Sequence, residues 1–130
     1  MASRKLKFSV IPGRFAVSRL APGAAIPEWI HSSPFVSVTR TGDELSLVTL
    51  ATSVPTEVQS ERAWTCLKLH GPFPFQLSGI LASFLDPLAA AGIPIFALST
   101  FDTDYVLVPD EHKERTLAAL LQAGHELEAG

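Results

Sequence analysis

Leu77, Ile80, Leu81, Phe84, Leu85 and Leu88 recur at i, i+3, i+4, i+7, i+8 and i+11, which lines them up along one face of a helix. Runs of a different character flank this face, and that alternation restricts the fold more than anything else in the chain. Ala63–Leu69 precedes it, and Ile93–Ser99 and Asp104–Val108 follow it. All three are short, rich in β-branched and apolar residues, and bounded by turn residues, so they read as strands. Asp110, after Pro109, is a good N-cap, and Glu111 and Glu114 fall in the first turn, where the helix dipole favours anions. Leu117, Leu120 and Leu121 supply a second apolar face that Gly124 ends, and His125-Glu126-Leu127 is expected to form a last short strand. The order βαββαβ predicts an α+β, ferredoxin-like unit, an antiparallel sheet with both helices on one face. Pro87 lies within the first helical run and predicts a kink, or a fresh start with Asp86 as cap.

The first half reads as a shortened copy of the same order. Leu6–Val10 and Arg14–Leu20 are two strands separated by a break at Pro12-Gly13. Pro27 opens a helical turn through Glu28-Trp29-Ile30. Phe35–Thr39 and Leu45–Leu50 form a hairpin across Gly42. The polar stretch Ala51–Arg62 connects the halves. The expected division is residues 1–62 as the shortened unit and 63–130 as the complete one.

Composition excludes several function classes. The 130 residues carry 10 Lys+Arg against 13 Asp+Glu, a net charge of −3, which argues against a nucleic-acid partner. In Tyr105-Val106-Leu107-Val108 there is one aromatic and no base, unlike the strands of an RNA-recognition module. No apolar run is long enough for a membrane span. Arg4, Lys5 and Lys7 have no apolar stretch after them, so a secretion signal is not expected. A single cysteine, Cys66, supports neither a disulfide framework nor a thiolate cluster, and a cytoplasmic location is expected. The chain has no G-x-S-x-G, no phosphate-cradling glycine motif and no H-E-x-x-H. His31, His70, His112 and His125 are scattered. No catalytic residue, metal site or cofactor is expected.

Phe75-Gln76-Leu77-Ser78-Gly79-Ile80, Asp86-Pro87-Leu88-Ala89-Ala90-Ala91, and above all the run from Ile95 to Pro109 containing Ser99-Thr100-Phe101 and Asp104, resemble an ACT domain. The resemblance is strongest to the subgroup found in the CASTOR arginine sensors and in small bacterial tandem-ACT proteins. It covers residues 64–124 well. Residues before it, including Phe35–Thr41 and Leu45–Val48, resemble the degenerate ACT unit that precedes the complete one in those proteins. The resemblance implies a non-catalytic regulatory protein that binds a small molecule, typically an amino acid, and pairs side by side. By position it implies a ligand site at Gly79 and Ile80, where the first helix begins, and at Thr100, Phe101 and Asp104, in the turn after the second strand. Leu77 stands where the sensors carry an acidic residue, which argues against arginine as the ligand.

Each of these residues has a structural alternative. A zwitterion needs partners for both charges once it leaves water. Unpaired N–H groups around Ser78–Ile80 suit a carboxylate, and Gly79 lets a ligand approach the main chain; the alternative is that Gly79 only eases packing. Asp104 suits an ammonium, or else bonds its own loop amides. Phe101 either covers a ligand or anchors the hairpin to the core. The leading reading is an amino-acid-binding regulatory protein, a homodimer through an unpaired sheet edge. The alternative is an interaction or dimerisation module that binds nothing small.

Overall fold

The structure, a computed structural model, describes residues 4–71, 73 and 78–129. Leu77 and the neighbouring Phe75 and Gln76 lie outside them. Strands are β1 (Lys7–Leu20), β2 (Ser37–Arg40), β3 (Leu45–Leu50), β4 (Ser60–Leu69), β5 (Phe96–Ser99), β6 (Asp104–Pro109) and β7 (Glu126–Leu127), and the two α-helices are α1 (Ile80–Ala90) and α2 (Lys113–Gln122). The chain divides into two compact units, one made of residues 1–12 and 65–130 and the other of residues 13–64. β1 and β4 each run from one unit into the other.

In the larger unit the order of elements from β4 is β-α-β-β-α-β. This is the α+β, ferredoxin-like arrangement that the apolar periods predict. Strands follow the order β1-β4-β6-β5, with β7 parallel to the start of β1 through Lys7↔Glu126 and Phe8↔Leu127. The opening of the chain therefore stands between the first and last strands of the βαββαβ set. Its core is one sheet face under two helices. Alternate residues Leu6 and Phe8, Leu67 and Leu69, and Val106 and Val108 pack against Ile80, Phe84 and Leu88 of α1 and Leu120 of α2. Phe8 meets Phe84 edge-on, with ring centroids 5.4 Å apart.

The smaller unit has the order β2-β3-β1-β4. β1 and β3 pair antiparallel from Phe15↔Leu50 to Leu20↔Leu45, and β2 and β3 form the expected hairpin. A 3₁₀ turn, Glu28–Ser32, follows Pro27 and buries Ile30 against Leu45 and Leu47. Arg62 donates to the carbonyls of Val54, Pro55 and Val58, which fixes the connection before β4.

Two local expectations are corrected. Pro12-Gly13 does not separate two strands, because β1 is continuous across it. Gly13 takes φ +97°, which lets the strand swivel there without ending, and a Cβ at this position would come within 2.9 Å of Leu50 Cδ2. Of the two outcomes expected at Pro87, a kink or a fresh start, the fresh start does not occur; the residue lies inside α1. A proline there cannot donate to the carbonyl four residues earlier, that of Ser83. The ring of His125 fills the gap. Its Nε2 donates to the Ser83 oxygen at 3.0 Å, and its Nδ1 accepts from the Leu6 N–H at 3.1 Å. This pair of bonds fixes a neutral tautomer with the proton on Nε2. Cations serve the helix ends: Lys5 Nζ donates to the Ala123 carbonyl at 2.6 Å, just past α2, and Arg115 donates to that of Ala91, just past α1.

Candidate functional site

The loop after β4 and the β5–β6 hairpin are tied together at one end of the larger unit. The hairpin pairs Phe96↔Leu107 through Ser99↔Asp104. Thr100 closes its turn. The Thr100 N–H donates to the Thr103 carbonyl at 2.8 Å, its hydroxyl reaches the same oxygen at 3.0 Å, and the Thr103 N–H returns to that hydroxyl at 3.4 Å. The buried Thr103 hydroxyl then donates to the Leu69 carbonyl at 2.7 Å, and the Phe73 N–H donates to the Asp102 carbonyl at 3.0 Å. Gly71 sits in the crook. A Cβ there would lie 2.7 Å from the Asp102 oxygen and 3.1 Å from the Phe73 nitrogen, so the close approach requires glycine.

A cleft of about 180 Å³ opens at this junction, lined by Lys68, Gly71, Thr100, Asp102, Thr103 and Tyr105. Strand alternation delivers two of these. Lys68 stands between Leu67 and Leu69, and Tyr105 precedes Val106; those neighbours face the helices, so Lys68 and Tyr105 are presented to the opposite face.

Among the residues the sequence nominates, Thr100 lines the cleft. Gly79, Ile80, Phe101 and Asp104 are not among the described residues that line it. Phe101 and Asp104 belong to the same hairpin. The Phe101 ring is 80% exposed, so it does not anchor the hairpin to the core. Asp104 opens β6, and its carboxylate accepts from the Ser99 hydroxyl directly across the strand pair. The turn amide of Thr103 goes to Thr100 instead. Gly79 caps α1 in the left-handed region, φ 81° and ψ 0°, and a Cβ there would meet nothing within 4 Å among the described residues. The positive φ by itself favours glycine at this position. Ile80 buries its side chain in the core and offers only its N–H at the helix start.

Lys68, Gly71, Asp102, Thr103 and Tyr105 were not nominated from sequence. A lysine and a tyrosine on the non-core face of two adjacent apolar strands was the available signal. Gly71 had none, because its need for a missing Cβ arises from a hairpin thirty positions further along. Cys66 is buried in β4, and burial pushes its thiol up from the ordinary 9.0 to about 12, which leaves it an unreactive thiol.

A sheet of this order under two helices has the architecture of an ACT domain, and comparison with known proteins agrees. The ACT-domain family model matches residues 59–122, and a second model, described as an N-terminal domain, matches residues 13–57. Residues 59–122 are therefore an ACT domain. The chain is 41% identical to protein Atu0741 from Agrobacterium tumefaciens, whose crystal structure it matches with a TM-score of 0.92 over 98% of this chain and 96% of that one. Over 53 residues it is 40% identical to the human and bovine cytosolic arginine sensor for mTORC1 subunit 1; this stretch is 40% of the chain and 16% of the sensor's length. The ligand-free regulatory subunit of aspartate kinase from Thermus thermophilus has the same fold, with a TM-score of 0.59 over 90% of this chain and 97% of that subunit at 11% identity. Among the described residues no helix is long and apolar enough to cross a membrane.

Proposed function

We propose that this protein is a non-catalytic regulatory module that binds a small molecule, an amino acid, at the hairpin end of its ACT unit. The observation that carries the reading is the cleft itself, which lies beside the turn where the family resemblance places ligand. Thr100 lines it, Phe101 and Asp104 stand in the same hairpin, and Gly79 caps the helix that Ile80 begins. Under this reading a degenerate ACT-like unit precedes the complete domain, with residues 1–12 grouped with the complete one rather than within a unit of residues 1–62, and the location is cytoplasmic. β5 ends the strand order of its unit, and an edge of this kind invites pairing with a second copy, so the working form is a homodimer.

Titration calorimetry of the full chain against the standard amino acids tests the reading. A specific ligand at 100 times its Kd also adds about 2.7 kcal/mol of stability, a visible shift in a melting curve. No heat and no shift with any amino acid at millimolar concentration refutes it. One observation favours a second reading. An aromatic ring that is 80% exposed at a hairpin tip suits a protein contact, so a ligand-free interaction module is the alternative. It predicts dimers whose stability is indifferent to every amino acid.

A further inference from the structure

The cleft's lining also carries information about the ligand's charge and size, and the following rests on the amino-acid reading above. Six described residues line it, Lys68, Gly71, Thr100, Asp102, Thr103 and Tyr105, among them one basic and one acidic residue. No aliphatic side chain is among them. The two threonine hydroxyls already donate, to the Thr103 and Leu69 carbonyls, so as donors they are committed. The charged partners a ligand meets are therefore the lysine and the aspartate. At about 180 Å³ the space is well below the roughly 300–1,000 Å³ of sites that take drug-sized molecules.

We propose that Lys68 and Asp102 read the two charges of a small, net-neutral zwitterion: Lys68 takes the carboxylate, Asp102 takes the ammonium, and the site selects amino acids with small or hydroxylated side chains. A dicarboxylate or phosphate would place surplus negative charge beside Asp102. A cationic amino acid would need a second carboxylate, which the described lining does not offer. Gly71 is part of the device, because the loop must approach the hairpin within reach of a Cβ for the two walls to stand this close.

The test is calorimetry on the full chain with L-serine, L-alanine and L-threonine against L-arginine, L-glutamate and L-leucine, repeated with Lys68→Met and Asp102→Asn. Each variant is first checked for an unchanged melting transition. Both side chains lie on the solvent side of the hairpin end, and Asp102 is exposed, so neither change removes core packing. Two ligand analogues separate the roles: L-lactate, which keeps the carboxylate and lacks the ammonium, and ethanolamine, which keeps the ammonium and lacks the carboxylate. We expect the small neutral amino acids to bind best and each substitution to weaken them roughly tenfold or more, as for a lost charge-assisted hydrogen bond. Asp102→Asn is expected to erase the preference for L-alanine over L-lactate and to spare the discrimination against ethanolamine; Lys68→Met is expected to do the reverse. If an amino acid binds but both variants bind it as the parent does, or if L-arginine or L-glutamate binds best, the charge-reading assignment is overturned and the regulatory reading stands. If no amino acid binds the parent, both fall.

Discussion

Replacing His125 with alanine removes two hydrogen bonds that join segments far apart in the sequence, and its cost depends on the proline inside α1. The imidazole is almost fully buried, donates to the Ser83 carbonyl at 3.0 Å and accepts from the Leu6 N–H at 3.1 Å. Truncation leaves both main-chain groups without a partner, and an orphaned buried group costs about 1–3 kcal/mol. The Leu6 N–H is buried and the Ser83 carbonyl only partly so, which puts the expected loss at about 2–4 kcal/mol. Contact with the Phe84 ring, 5.4 Å from the imidazole, is lost as well. Pro87 makes the effect conditional. With Pro87→Ala the helix regains an N–H that can serve Ser83, so His125→Ala should cost about 1 kcal/mol less in that background. Urea unfolding of the four proteins of this cycle, with equal m-values, measures the coupling. A cost for His125→Ala that is the same with proline and with alanine at position 87 would refute the claim that the histidine replaces the missing helix bond.

Other perturbations probe other parts of the molecule. Gly13→Ala places a Cβ within 2.9 Å of Leu50 Cδ2 at a φ of +97°, and a loss of about 1–2 kcal/mol is expected in the same melts; an unchanged midpoint would show that the swivel in β1 is not needed. Thr103→Val removes the bond to the Leu69 carbonyl and should cost about 1 kcal/mol, with faster amide exchange at Phe73 as the local sign that the loop has loosened from the hairpin. Cys66 favours its neutral thiol in the fold, because its pKa is raised from 9.0 to about 12. The stability this contributes is whole below pH 9 and is lost as the pH climbs towards 12, so denaturation midpoints should fall across that window. At pH 8 the native thiol should react with iodoacetamide only as fast as the protein opens, and rapid labelling of the folded protein would contradict its burial.

Much of the architecture was legible because local spacing and tertiary packing agree. Ile80, Phe84 and Leu88 recur at helical period and are the residues α1 buries. Val106 and Val108 alternate and face the same core. What was not legible depends on partners distant in the chain. Pro12-Gly13 is a strong local break signal, yet pairing on both sides of it carries β1 through, with β7 at Lys7 and Phe8 and with β3 from Phe15. Pro87 is tolerated because a histidine 38 positions later supplies the missing donor, which no local rule anticipates.

The candidate site divides in the same way. Thr100, nominated through a motif, lines the cleft; Gly79, nominated through its place before a helix, is not among the described residues that line it. Lys68 and Tyr105 become neighbours only when β4 pairs with β6, and Gly71 matters only once Thr103 has fastened the hairpin to Leu69. Asp102 is exposed, and it also lines the cleft.

Backbone amide shifts recorded while the standard amino acids are titrated into the isotope-labelled full chain test the central claim most directly. The account predicts saturable shifts with a small neutral amino acid, concentrated at Lys68, Gly71, Thr100–Tyr105 and the Gly79 helix mouth. Spectra that stay still with every amino acid at millimolar concentration, or that shift only at sites remote from this hairpin, would contradict it.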